Sequence, residues 1–505
     1  MKGLTARHIV AAVMAGLAAT VILIGYYRPA EQSPALGLAV AIVASAVVAA
    51  VSYLAVMRPW WGLVAFLAAT PAINIARAQV WIGPVQLISA TAVVLALIIG
   101  VGWELRRPRD PAGAMGGVSG ITWGLLGGAA VLAIASTVVA PLTPESLNVT
   151  LHGALAPLAV LGCVLVLRPN AVRALHAMLA LAGGVALAGL INLGWMTYAL
   201  SDLYFYERRI FFARLTYFNV GTFGEMLVIA LPLLAIPLLV RRQFGWPKWV
   251  PWATWGAIGV MILALFYTYT KSAWITATLG STLVIILLVE GWGRKALLLV
   301  GTYLLLAVVV PYPYPVLQRV SPDLAEDYRS LVVAMQSERR VESWDPESEE
   351  GAGSVGIRWI AIWASVELVS EHPVLGVGPT RYGPEFARIR PDASVPNLSS
   401  AHNFLANLAA EYGLPLAVLV TFGLAVAMLP GLPALVDPDP LRRVAAVMVA
   451  IALTCFMLVA TLFGIDLYRT FRTMNSDVIA VAVLVGLGVS LLTYPREIVI
   501  PPLRR

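Results

Sequence analysis

Charge is what this chain has least of. Only 12% of its 505 residues are Asp, Glu, Lys or Arg, too few to wet the surface of a soluble globular domain. Cysteine is nearly absent as well. Cys163 and Cys455 both lie inside apolar runs, which rules out a disulfide framework and reads as two buried thiols. No HExxH, Walker A loop or G-x-S-x-G occurs, and the acidic pair of VDPDPLRR falls beside a basic cluster, so the motifs for metal-dependent catalysis are missing.

Apolar residues make up 60% of the chain, and the mean hydropathy is +0.84. A helix needs about 17 to 25 apolar residues to cross a bilayer. Such runs recur at 8–25, 35–56, 61–76, 84–103, 121–140, 151–167, 173–198, 222–240, 251–269, 272–290, 295–312, 413–436, 443–464 and 475–493. The expectation is an all-α polytopic membrane protein with about 14 (12–14) spans and one large extracytoplasmic loop carrying amphipathic helices. The opening MKGLTARHIVAAVMAGLAATVIL has no clear small-residue cleavage site, so it reads as an uncleaved first helix.

Basic residues give a second handle, because Lys and Arg accumulate on the cytoplasmic side. Alternate loops carry Lys2 with Arg7, Arg58, Arg106 with Arg107, Arg168 with Arg173, Arg241 with Arg242, Arg294 with Lys295, Arg442 with Arg443, and the tail arginines. The loop 140–150 between them has none. Both termini are therefore expected in the cytoplasm and 313–412 outside it. The net charge of +7 follows from these arginines and from attraction to anionic lipid, without a nucleic acid partner.

The segment 313–400 interrupts the membrane pattern in three parts. An acidic, Ser-rich stretch over 321–350 reads as a mobile lid. GIRWIAIWASVELVSEHP follows, with Trp359, Ile362, Trp363, Val366 and Val369 on one helical face, expected at the membrane surface. LGVGPTRYGPEFARIRPDASVPN, broken by Gly and Pro, reads as a turn-rich connection. On the same side, 199–226 is rich in Tyr and Phe around Arg208, Arg209 and Arg214, as suits the headgroup layer.

Arginines on that side run against the positive-inside tendency and ask for an anionic partner. Arg214 stands in an aromatic run entering a helix, although an arginine in that place also reaches lipid phosphate by snorkelling. Lys271 lies where two spans meet with almost no loop, either as an interfacial lysine or as a paired charge. Arg358 opens the amphipathic helix, and Arg381 follows it in a Gly/Pro turn. His8 and His176 fall on the cytoplasmic side, His152 begins a span and His372 ends a helix. His402, followed by Asn403 and a helix running into the membrane, titrates where it can take a proton from a hydroxyl near neutral pH.

FARLTYFNVGTFGEMLVIALPLL, FYTYTKSAWITATLG, IRWIAIWASVELVSEHPVLGVGPTRYGPEF and AHNFLANLAAEYGLPLAVLV occur in this order. Together they resemble the O-antigen ligase and polymerase superfamily of bacterial membrane glycosyltransferases, over roughly 210–435. The resemblance implies three regions: N-terminal spans over 1–209, a catalytic region over 210–436, and C-terminal spans over 437–505. It further implies metal-independent, inverting transfer of a glycan from a polyprenyl (undecaprenyl) pyrophosphate to an acceptor hydroxyl, on the outer face of the bacterial inner membrane. No cofactor is implied, and the acceptor is a lipid core in a ligase or a growing glycan in a polymerase. Matching positions make His402 and Arg358 catalytic, with Arg214, Lys271, Arg381 and Asn403 binding substrate. Where the family has Ser-Arg, this chain has Lys271-Ser272-Ala273, and a lysine lacks the bidentate grip of arginine on phosphate. A lipid-linked sugar flippase is the alternative from another class, and it would place charges nearer the bilayer midplane.

Overall fold

Without water to bind their amides, apolar runs of this length close their hydrogen bonds within themselves as helices. The computed structural model describes residues 6–25, 34–75, 79–82, 85–106, 120–199, 216, 220–268, 270–309, 354–390, 398, 400–462 and 476–493. The first helices are α1 (Ala6–Gly25), α2 (Pro34–Met57), α3 (Pro59–Ile75), α4 (Ser89–Leu105), α5 (Gly120–Val139), α6 (Pro144–Leu167) and α7 (Ala171–Ala199). The middle of the chain forms α8 (Val220–Leu233), α9 (Ile236–Phe244), α10 (Val250–Thr268), α11 (Lys271–Leu288) and α12 (Trp292–Val309). After 354 come α13 (Ser354–Glu371), α14 (Tyr382–Ile389), α15 (Phe404–Tyr412), α16 (Leu414–Met428), α17 (Gly431–Ala434), α18 (Pro440–Met457) and α19 (Ser476–Thr493).

Each of the fourteen apolar runs overlaps one of these helices. Among the described residues, seven helices are long and apolar enough to cross a membrane by length and composition, and five shorter apolar helices accompany them. The chain is a multi-pass membrane protein. Its outward side chains agree, since Ile121, Val139, Trp252 and Leu297 are all more than two-thirds exposed, a surface suited to lipid and not to water. The all-α expectation holds, with one small local addition. Gln79–Ile82 and Val85–Ile88 form an antiparallel hairpin, β1 and β2, pairing Gln79 with Ile88 and Ile82 with Val85. Gly83 and Pro84 lie outside the described residues, and the helix expected from 84 begins at Ser89.

The spans Gly221–Phe244 and Pro440–Thr461 are largely buried by their neighbours, whereas Gly120–Val139 and Val250–Thr268 show most of their surface outward. α8 and α18 are therefore the axis of the bundle, with α7 and α11 packed on them. Hydrophobic driving force between helices is weak in lipid, so close backbone approach decides where they meet. A Cβ on Gly280 of α11 would fall 2.6 Å from Cys455 Sγ of α18, which explains a glycine in mid-span. Pro232 ends the first half of the axial span by removing an amide donor, and the chain turns before α9 resumes at Ile236.

α6 starts at a capping box: Thr143 Oγ1 accepts from Ser146 N at 3.1 Å, and Ser146 Oγ accepts from Thr143 N at 3.0 Å. Its turn Thr150–Leu155 widens to a π-helix and carries His152, which is buried with Nδ1 3.5 Å from Thr91 Oγ1. His152 thus lies among the N-terminal spans, well packed by polar neighbours.

Candidate functional site

α13 is the first component. Two residues of its predicted apolar stripe prove to face outward: Trp363 and Val366 are about half exposed, while Val369 packs on a core in which Ala361, Ala364 and Leu368 are buried, with Ser365 buried beside them. Small inward residues let the following segment pack closely against the helix. α13 ends at Glu371, with His372 N donating to Leu368 O at 2.9 Å before Pro373.

Beyond Pro373 the chain was expected to be a turn-rich connection. It is so only as far as Arg381, after which Tyr382–Ile389 is the helix α14. Pro384 sits in its first turn, where the missing amide would have had no helical partner. Tyr382 is fully buried, its hydroxyl donates to Ala361 O at 2.6 Å, and burial pushes its pKa up. This tyrosine fastens α14 across α13. Tyr382 and Phe386 join Ala361, Ala364 and Leu368 in a small core that also takes in Leu398, Ala401 and Ala410.

The exposed edge of the same pair carries an ionic ladder. Arg381 reaches Glu385 at 3.2 Å, Arg388 binds both Glu385 at 2.6 Å and Glu371, and Arg390 reaches Glu367 at 3.0 Å. Burial works to raise the Glu385 carboxyl, but hydrogen bonds from Arg388 and Arg381 outweigh it and hold it below the ordinary glutamate value. Arg388 and Arg390 are therefore engaged by Glu371 and Glu367 of α13, and Arg381 shares Glu385 of α14 with Arg388.

The two stretches that carry the sharpest motifs, HPVLGVG and AHNFLANLAAEYG, dock directly on each other. Val377 N donates to Ala410 O at 2.8 Å, Gly378 N to Glu411 O at 2.9 Å, and Leu414 N to Pro373 O at 2.9 Å. Glycine is required on both sides of the joint. Gly376 (φ 65°) would place a Cβ 2.4 Å from the Glu411 carbonyl carbon, and Gly413 (φ 88°) would place one 2.0 Å from Val374 O. Glu411 itself is buried, and its Oε1 accepts from Tyr382 N at 3.4 Å. Its carbonyl also accepts from Ser136 Oγ of α5 at 2.9 Å, so an N-terminal span braces the joint.

His402 lies in the turn that leads into α15 and is partly buried. Its backbone is left-handed, with φ 48°, a conformation that strains a residue bearing a Cβ and that is often kept where a side chain must be aimed. The residues around it hold that geometry. Ala401 N donates to Asn407 Oδ1 at 3.1 Å, and His402 N to Ser400 Oγ at 3.4 Å. Asn403 caps α15 by accepting from Ala406 N at 2.9 Å, while its amide donates to Thr461 O at 2.5 Å. Phe404 packs edge-on against Phe456, with ring centroids 5.6 Å apart. The helix after His402 does not run on into the membrane as expected: α15 stops at Tyr412, and Gly413 separates it from the span α16.

Placement of the other expected residues is mixed. Arg358 is half-buried on α13, one turn before Ala361, and Ala361 shares its core with Ala401, the neighbour of His402. Arg358 on α13 and His402 in the turn before α15 thus belong to one packed unit. Asn403 is a cap and a tie to Thr461 in the turn that follows α18, and Arg381 is paired with Glu385. Lys271 is the first residue of α11, and its side chain lies outside the described residues. Arg214, the aromatics around it and the stretch 321–350 also lie outside them. Among the described residues, no three of His, Cys, Asp or Glu converge as a metal site would. Sequence reasoning passed over Glu225, a buried carboxylate in the axial span, although any acidic residue inside a span is a signal.

Helices long and apolar enough to cross a membrane, joined to a unit in which an arginine-bearing helix and a histidine turn share one core, define a polytopic membrane protein. A family model described as O-Antigen ligase matches residues 256–421, the stretch from α10 to α16 that contains Arg358, both docked loops and His402. That match places the segment in the O-antigen ligase/polymerase superfamily, whose activity is of the ligase or polymerase type. No curated protein matches the chain.

Proposed function

We propose that the chain is an inverting, metal-independent glycosyltransferase that moves a glycan from a polyprenyl pyrophosphate to an acceptor hydroxyl on the extracytoplasmic face, with the ligase-like acceptor, a lipid core. The observation that supports it most is the docking of HPVLGVG on AHNFLANLAAEYG, which carries the Arg358 helix and the His402 turn in one packed unit. In this reading His402 takes the proton from the acceptor hydroxyl. The oxygen attacks the anomeric carbon from the face opposite the pyrophosphate, the C–O bond to phosphate breaks, and the pyrophosphate leaves as an anion. Arg214, Arg358 and Lys271 stabilise that departing charge at headgroup depth, and Arg381 assists.

The test is reconstitution of the purified chain with a polyprenyl-pyrophosphate oligosaccharide and lipid-core or glycan acceptors. His402→Ala is expected to abolish the new glycosidic bond and to retain donor binding. Transfer at the wild-type rate in that variant, or movement of donor across vesicles with no bond formed, would overturn the proposal.

A further inference from the structure

A cleft of about 1120 Å³ opens at the other end of the bundle. The axial span sets its distance from His402. Asn403 bonds to Thr461, near the last turn of Pro440–Thr461, whereas Pro440 and Val444 of the first turns line the cleft, and 22 residues of helix extend about 33 Å. The cleft therefore belongs to a different site.

Its composition is that of a lipid site. Leu238, Ile258, Val284 and Leu297 make apolar walls, while Arg241, Arg242, Arg294 and Arg443 line it where α9 ends, α12 begins and α18 begins. Glu290 is the acidic residue among the lining groups, and it lies 3.6 Å from Arg443 with most of its surface in solvent. Four positive groups against one negative group leave room for more than one phosphate.

A second observation fixes the depth. Trp249, Trp252, Trp255 and Trp292 all point outward around this end, and tryptophan in that pattern marks the headgroup layer. The guanidinium groups thus stand at phosphate level, with the apolar walls below them. α12 also shows Leu297, Val300 and Tyr303 outward, so among the described residues one side of the cleft is a helix with an uncovered outer face. Basic pockets between spans on the cytoplasmic side take phospholipids that carry two phosphates.

We propose that this cleft binds a doubly phosphorylated phospholipid of the cardiolipin type, which wedges α12 against the axial helices. The inference stands independently of the glycan-transfer reading.

Native mass spectrometry of the detergent-purified full chain, titrated with cardiolipin, phosphatidylcholine, a polyprenyl phosphate and inorganic pyrophosphate, tests it. Cardiolipin is expected to bind tightest and to raise the unfolding temperature. The triple variant Arg241→Gln/Arg294→Gln/Arg443→Gln is expected to bind it about 10- to 100-fold more weakly. Gly301→Leu gives an independent variant, because Gly301 lines the cleft and a Cβ there meets nothing within 4 Å. It should fill the space, keep the fold in detergent and lower cardiolipin retention with every arginine in place. Equal binding of phosphatidylcholine, tighter binding of the polyprenyl phosphate, equal binding of pyrophosphate, wild-type affinity in both variants, or a dimer that occupies the cleft and dissociates in Gly301→Leu would each overturn the proposal.

Discussion

Gly413→Ala tests the docked loops most directly. At φ 88° and ψ 162° the backbone of Gly413 lies in a region that only glycine occupies readily, so a Cβ costs about 1–3 kcal/mol from conformation alone. The same Cβ would lie 2.0 Å from Val374 O and 2.4 Å from the Val374 carbonyl carbon, both rigid backbone atoms. Forcing a group into packed surroundings adds about 1–3 kcal/mol, for a total of about 2–6 kcal/mol. Relief requires the two loops to separate, which stretches Leu414 N to Pro373 O and Gly378 N to Glu411 O and shifts α15 with His402. Thermal unfolding of the detergent-purified chain should show a clear fall in midpoint, and glycan transfer should fall with it. Gly423→Ala is the control, since Gly423 lies in α16 with nothing within 4 Å, and alanine there should stabilise by about 0.5–1 kcal/mol. If Gly413→Ala unfolds like the wild type and transfers glycan at the same rate, the docked joint does not organise the site.

Asn403→Ala removes both a helix cap and the tie to Thr461, and is expected to cost about 1–3 kcal/mol; Asn403→Asp keeps the cap but not the amide donor, so an unfolding midpoint between the two separates the contributions. Glu385 has a lowered folded pKa, so its contribution is complete above the ordinary value of 4.5 and is lost as pH falls through the lower folded value. Hydrogen exchange across α14 should therefore rise below pH 4.5 in the wild type. In Glu385→Gln it should already be high at neutral pH with no acid-dependent step, and an unchanged acid step in that variant would refute the assignment.

The spans were legible in the sequence because bilayer thickness sets one length for all of them. Which side of α13 packs inward was not. Trp363 and Val366 make the conspicuous stripe, but at a membrane surface large apolar residues face lipid, while Ala361 and Ala364 mark the packed side by their smallness. α14 was hidden by Gly383-Pro384, two residues that break a helix in its interior but are tolerated in its first turn. The second strand, Val85–Ile88, was absorbed into the run 84–103 and the first lay between runs, because the alternation spans only four residues on each side. The docking of HPVLGVG on AEYG could not be read from local pattern, since it depends on backbone amides and carbonyls that every residue carries. His402 was picked out by its chemistry, whereas its left-handed backbone leaves no trace in sequence.

The bond from Ser136 to Glu411 joins positions 275 residues apart. During synthesis, α5 enters the membrane long before its partner has left the ribosome, and the brace forms only when most of the chain has been made. A fragment ending before Glu411 would insert most of its spans and yet leave the joint of HPVLGVG on AEYG unbraced, so assembly of the unit that holds Arg358 and His402 waits until insertion is nearly finished.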